Sequence, residues 1–134
     1  MKIGIIGAGQ VGTTLGKRWA SAGHEVVYGV RDAGPEPPHP GARLAPVRGA
    51  MEASELVVLA TPWSSAIDAV TAAGDFGGRV LVDATNPIAP GFKLAFGHSS
   101  SGVEEIAKAA RGARVVKAFN STGLENMANP RYGE

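Results

Sequence analysis

Lys2-Ile3-Gly4-Ile5-Ile6-Gly7-Ala8-Gly9-Gln10-Val11-Gly12 opens the chain with an apolar run, three spaced glycines and the first residues of a helical pattern. Gly7, Gly9 and Gly12 have the G-x-G-x-x-G spacing, directly after a strand-like run and directly before a helix, the context in which that spacing carries meaning. Each glycine answers a separate steric demand. Gly7 permits the tight turn, Gly9 lets the backbone approach a pyrophosphate, and Gly12 lets the helix pack closely on the strand. The helix start offers an anion unpaired N–H groups and the positive end of the macrodipole, so the loop needs no charged side chain. The stretch reads as the phosphate turn of a dinucleotide site, with a merely structural turn as the alternative.

Working outward, Val11, Leu15, Trp19 and Ala22 recur at helical spacing, Gly12 and Gly16 share the face laid on the sheet, and Gly23 supplies the stop. Glu25 to Gly29 is a second strand, running into Val30-Arg31-Asp32. An acid near this point hydrogen-bonds the ribose of NAD, whereas an arginine accommodates the 2′-phosphate of NADP. Asp32 lies about 20 residues past Gly12, the distance expected of the acid. A strand ending at Tyr28 or Gly29, however, aims Val30 or Arg31 at the ribose and leaves Asp32 in the loop. Arg31 is therefore favoured as a phosphate clamp; the bland reading is an exposed turn pair that contributes little.

Pro35, Pro37, Pro38 and Pro40 exclude a helix between Ala33 and Gly41. A surface loop of polyproline character is expected, either flanking the adenine or inert, with His39 solvated. Arg43 to Ala45 reads as a minimal third strand and Val47 to Ala53 as a short helix. Leu56 to Ala60 is apolar throughout, like a strand buried on both faces. Thr61 is expected to cap, and Pro62 to open, a helix ending near Gly74. Val80 to Val82 then delivers Asp83-Ala84-Thr85-Asn86-Pro87 to the same sheet edge, where ligands of open α/β sheets bind. The Asn86 amide is available either to a ribose or carboxamide or to tying the turn.

The excursion from Ile88 to Ser100 carries aromatic residues that predict a packed flap. His98 within it has no acid or hydroxyl partner at recognisable spacing and reads as a loop residue more than a general acid. Ser101 and Glu104 form an S-x-x-E capping box ahead of Val103, Ile106 and Ala110. Val115 and Val116 lie in a last strand ending at Lys117-Ala118-Phe119-Asn120. Six strands alternating with helices predict an α/β fold, a Rossmann-type doubly wound parallel sheet of order 3-2-1-4-5-6.

The composition narrows the function. At 134 residues the chain suits one domain, and 13 Lys+Arg against 12 Asp+Glu form no basic stripe, so nucleic acid and anionic membranes are not expected partners. There is no cysteine, which removes thiolate metal sites, a thiol nucleophile and disulfides; no metal is expected. No apolar run reaches the roughly 18 residues of a membrane span, and the N-terminus lacks a secretory pattern. These features suit a cytoplasmic protein acting on a small molecule.

Together, Gly7-Ala8-Gly9-Gln10-Val11-Gly12, Gly29-Val30-Arg31-Asp32, Ala60-Thr61-Pro62-Trp63, Asp83-Ala84-Thr85-Asn86-Pro87 and Val116-Lys117-Ala118-Phe119-Asn120-Ser121-Thr122 resemble the NADP oxidoreductase family that includes the coenzyme F420-dependent NADP reductases. The resemblance covers nearly the whole chain. It implies NADP(H) lying along these segments, with its phosphates over Gly9 to Val11, its 2′-phosphate near Arg31, and its nicotinamide near Thr61, Pro62, Asn86 and Phe119. It further implies that Trp63, Pro87 and Asn120 are among the cofactor-binding residues. It also implies direct hydride transfer to the deazaflavin of coenzyme F420, which depends on proximity and needs no acid-base residue.

Two departures stand out. Val30 occupies a position where the family commonly has a serine, so one phosphate ligand is absent. Family members also continue past Asn126-Met127-Ala128-Asn129-Pro130 with elements that help hold the deazaflavin. Residues 1–120 are thus expected to form the dinucleotide-binding domain and residues 121–134 a C-terminal tail that begins a further portion. Cofactor binding with weak turnover is the expectation, and a second copy covering the edge after Asn120 would make a homodimer. The competing functions are a dehydrogenase or imine-type reductase, with His98 or Lys117 as proton donor, and a non-catalytic dinucleotide-binding module.

Overall fold

The computed structural model describes residues 1–32, 34, 36–95 and 99–131. In chain order these form β1 (Lys2–Ile6), α1 (Gln10–Ser21), β2 (Glu25–Val30), β3 (Arg43–Pro46), α2 (Val47–Glu52), β4 (Leu56–Leu59), α3 (Trp63–Ala73) and β5 (Val80–Asp83). A hairpin of β6 (Ile88–Ala89) and β7 (Lys93–Leu94) follows, then α4 (Gly102–Ala109), β8 (Arg114–Lys117) and α5 (Leu124–Ala128). Six strands make one parallel sheet in the order β3-β2-β1-β4-β5-β8. The hairpin stands outside it, so β8 is the sixth strand of the sheet and the doubly wound order 3-2-1-4-5-6 is the one observed.

The central strands read as unbroken apolar runs because helices cover both faces. Ile3 and Ile5 of β1 pack with Leu15, Val26 and Tyr28 on the α1 side. Ile6, with Val57 and Leu59 of β4, packs with Val70, Phe76 and Ile106 on the other. Each fully buried side chain of this size contributes about 1.5 to 3 kcal/mol. α1 lies close against the sheet: a Cβ at Gly12 would strike the Gly7 carbonyl oxygen, and one at Gly16 the Tyr28 hydroxyl. α5 rests on α1, its Met127 joining the α1-side core, and the Trp19 and Phe119 rings meet edge to face at 6.0 Å.

Several local expectations need correction. β2 extends through Val30, which pairs with Pro46, so Arg31 is the first residue beyond the strand. Thr61 does not cap α3. That helix starts at Trp63 with Pro62 in the capping position, extended at φ −56° and ψ 148°, and Pro62 makes no side-chain cap bond. Proline biases its predecessor away from helical geometry, which sets Thr61 one residue too far back. His39 is half-buried, not solvated: its Nε2 is 3.1 Å from the Tyr28 hydroxyl and its Nδ1 3.1 Å from the Pro40 carbonyl oxygen. The excursion after β5 does not pack through its described aromatic residue, since Phe92 sits at the hairpin turn 94% exposed with φ 58°.

Candidate functional site

The sheet order reverses direction between β1 and β4, and the chains leaving those two strands frame a crevice. One wall is the glycine turn. Gly7 adopts φ +107°, and a Cβ there would lie 2.6 Å from the Ala60 carbonyl oxygen, so the turn can approach the β4 exit only as glycine. Its N–H donates to the Gly29 carbonyl, fixing the turn against β2 as well. Gly9 differs: it is the N-terminal capping residue of α1, and a Cβ built on it meets nothing within 4 Å. The fold therefore makes no steric demand for glycine at this position.

α1 begins with no side-chain cap and no acid in its first turn. Its first residues, Gln10 and Val11, line the crevice, and among the described residues no side-chain cap compensates their N–H groups, an arrangement that favours an anion.

Two clefts meet over this turn, both lined by Gly9, Ala60, Thr61 and Pro62. The first, about 430 Å³, runs past Gly7 and Ala8 to Gly29, Val30 and Arg31, with Val47 of α2 at its floor. Arg31 lines it; Asp32 does not. Both are exposed, and Arg31 makes no ion pair among the described residues. The opposite wall is a stripe of α3, namely Ser65, Asp68, Ala69 and Ala72. This stripe was not expected from the sequence. Its signal is helical spacing of small residues beside the buried stripe Ala66, Val70 and Ala73.

The second cleft, about 310 Å³, continues past Gln10 and Val11 to Trp63, Ala84, Thr85 and Asn86. Asn86 ties the turn, donating its amide to the Asn120 carbonyl at 3.2 Å, and still lines the cleft. Gly12 lies beneath the turn against Gly7, and Pro87 packs under α4. Thr61 Oγ1 is buried with no hydrogen-bond partner among the described residues, an orphan polar atom at the junction of the two clefts. Phe119 stands apart. It takes φ 67° and turns onto Trp19, where it lines a separate depression of about 450 Å³ over α1 with Arg18, Thr122 and Met127.

Behind the second cleft, Asp83 is fully buried. Its Oδ1 accepts from the Thr85 backbone N–H at 2.9 Å and the Thr85 hydroxyl at 2.7 Å, and its Oδ2 pairs with Lys117 Nζ at 2.8 Å. Lys117 Nζ also donates to the Thr85 carbonyl. The lysine considered as a proton donor is thus half-buried and paired with Asp83. His98, the other candidate donor, lies outside the described residues. Among the described residues no group of acidic or histidine side chains is arranged to hold a metal ion, and no helix is long and apolar enough to cross a membrane.

An all-parallel doubly wound sheet with an uncapped helix start and a groove across its carboxyl edge defines a Rossmann-type domain. The family described as NADP oxidoreductase, coenzyme F420-dependent, matches residues 2–87, and the chain belongs to it. A solved structure from Arthrobacter sp. FB24, named as a candidate F420-dependent NADP reductase, is 35% identical, with a TM-score of 0.88 over 97% of this chain and 67% of its own. A hypothetical protein from Sinorhizobium meliloti, SMa0349, is 28% identical, with a TM-score of 0.79 over 96% of this chain and 65% of that one. An imine reductase from Aspergillus terreus, solved in complex with NADPH4, shares the fold at 22% identity, with a TM-score of 0.73 over 93% of this chain and 43% of its own. The chain thus spans about two thirds of the first two and less than half of the third. No curated protein matches it.

Proposed function

We propose that the chain binds NADP(H) across the carboxyl edge and serves direct hydride transfer, with a deazaflavin of the coenzyme F420 type as the partner substrate. The observation that carries the reading is the pair of clefts sharing Gly9, Ala60, Thr61 and Pro62, with Arg31 at one end and Asn86 at the other. A dinucleotide has that shape: two nucleoside ends and a central pyrophosphate.

In this reading the α1 N-terminus holds the pyrophosphate, where its free N–H groups replace water. Arg31 pairs with the 2′-phosphate, and Asp32, outside the cleft lining, leaves the ribose to it. Ser65 and Asp68 offer polar atoms beside the adenosine half, while Ala69 and Ala72 leave room for a flat base. Thr61 Oγ1 is matched to a ribose or carboxamide group at the junction, and Thr85 and Asn86 wall the nicotinamide end. When bound, the nicotinamide supplies or accepts the hydride. The residues then contribute orientation, and a Lys117 paired with Asp83 is compatible with a reaction that needs no protein proton donor.

The test is to saturate the chain with NADPH and follow nicotinamide absorbance on adding, in separate samples, an 8-hydroxy-5-deazaflavin, a ketone panel and an imine panel. Oxidation by the deazaflavin in preference to the others is expected. Preference for ketones or imines would instead assign a dehydrogenase or imine-type reductase. NADPH binding with no oxidation by any acceptor would assign a non-catalytic binding module.

A further inference from the structure

We propose that Lys117 is a positioning residue for the nicotinamide end of the groove, holding the Thr85–Asn86 wall in place through Asp83; the proposal rests on the dinucleotide reading above.

Asp83 and Lys117 are the last residues of β5 and β8 and lie directly opposite each other in the parallel register. Beyond them the two chains leave the sheet, and each is caught at once. Asp83 Oδ1 binds the Thr85 N–H and hydroxyl, and Lys117 Nζ binds both Asp83 Oδ2 and the Thr85 carbonyl. Thr85 thus has its N–H, hydroxyl and carbonyl held by two side chains. The Ala118 N–H donates to the Asp83 carbonyl at 3.1 Å, and the Asn86 amide reaches the Asn120 carbonyl, so both exits are tied in parallel. Thr85 and Asn86 are also the residues that line the second cleft.

Stability alone does not account for such a pair. Asp83 is fully buried and Lys117 half-buried, so the cost of taking the carboxylate out of water offsets much of what their attraction returns. What the charged pair adds is direction: a carboxylate accepts along fixed lone pairs, and a lysine reaching two acceptors sets the distance between them. Arg31 lies in the other cleft, so the adenosine half of the ligand does not depend on this clamp.

The test compares two ligands on one preparation: NADPH, which fills both clefts, and adenosine 2′,5′-bisphosphate, which lacks the nicotinamide half. Lys117→Met keeps the stem and removes the charge. NADPH affinity is expected to fall about tenfold, with the emission of the bound nicotinamide shifted toward that of free NADPH, while adenosine 2′,5′-bisphosphate binds within about twofold of the original value. Lys117→Arg, which keeps a cation able to reach both acceptors, is expected to recover part of the loss. Thr85→Val removes only the hydroxyl bond to Asp83 and is expected to shift the ratio of the two affinities in the same direction; it supplies the reading if Lys117→Met does not fold. Parallel loss of both ligands, or an unchanged ratio in a folded variant, overturns the proposal. Failure of the unmodified chain to bind NADPH overturns the functional reading itself, and this inference with it.

Discussion

Gly9 and Gly7 belong to the same motif but are glycine for different reasons. Gly7 holds a backbone conformation that only glycine adopts readily, pressed against Ala60, whereas a side chain at Gly9 has open space before it. Gly9→Val is therefore expected to leave the thermal midpoint nearly unchanged and to abolish dinucleotide binding in calorimetry. Unchanged affinity would show that no ligand passes over the turn. Tyr28 makes a second prediction at this scale. Burial pushes its phenol up to about 12. Below pH 10 the group is neutral in both the folded and unfolded chain; between pH 10 and 12 only the unfolded chain ionises, so it binds fewer protons and gains. Stability is expected to fall by about 1.4 kcal/mol per pH unit across that window from this residue alone. Urea midpoints of the unmodified chain and of Tyr28→Phe, compared over that range, isolate the effect as a difference in slope.

Among the elements, α4 shows how a local sequence signal becomes energy. Ser101 Oγ accepts from the Glu104 N–H, and the Glu104 carboxylate accepts from both the Ser101 N–H and its hydroxyl, closing the box. The same hydrogen bonds hold the Glu104 carboxyl below its ordinary value, so their contribution is present at neutral pH and is lost as pH falls through the lowered value. Ser101→Ala is expected to cost about 1 kcal/mol in denaturant unfolding at neutral pH. A variant as stable as the original would show that α4 depends on Ile106 packing and not on its cap.

That box, the glycine turn and the strand order were legible because each rests on neighbours in sequence. The start of α3 was not legible because Thr61 and Pro62 satisfy the local preferences of a cap and a first helical residue, whereas in the fold both precede the helix and line the groove junction. The His39 bond to Tyr28 and the Asp83–Lys117 pair were not legible, since each joins strands or loops far apart in the chain. The same holds for the α3 stripe: its small residues resemble ordinary helix surface until β1 and β2 are set beside them.

At the scale of the whole molecule, the fold brings the exits of β1, β2, β4 and β5 to one edge and leaves β8 at the rim of the sheet, with Val116 49% exposed. The two clefts on that edge carry different chemistry. One is lined by Arg31, which makes no ion pair among the described residues, and the other by Thr85 and Asn86, held from behind. On the function proposed above, this edge holds a dinucleotide bearing a 2′-phosphate. The direct measurement is calorimetric titration of the chain with NADP and with NAD, repeated on Arg31→Ala. A charge-assisted contact of this kind is worth roughly 1.5 to 3 kcal/mol, so NADP is expected to bind about one to two decades more tightly than NAD, with most of the gap erased in the variant. Equal affinity for the two dinucleotides in the unmodified chain would contradict the claim and assign the ribose to Asp32.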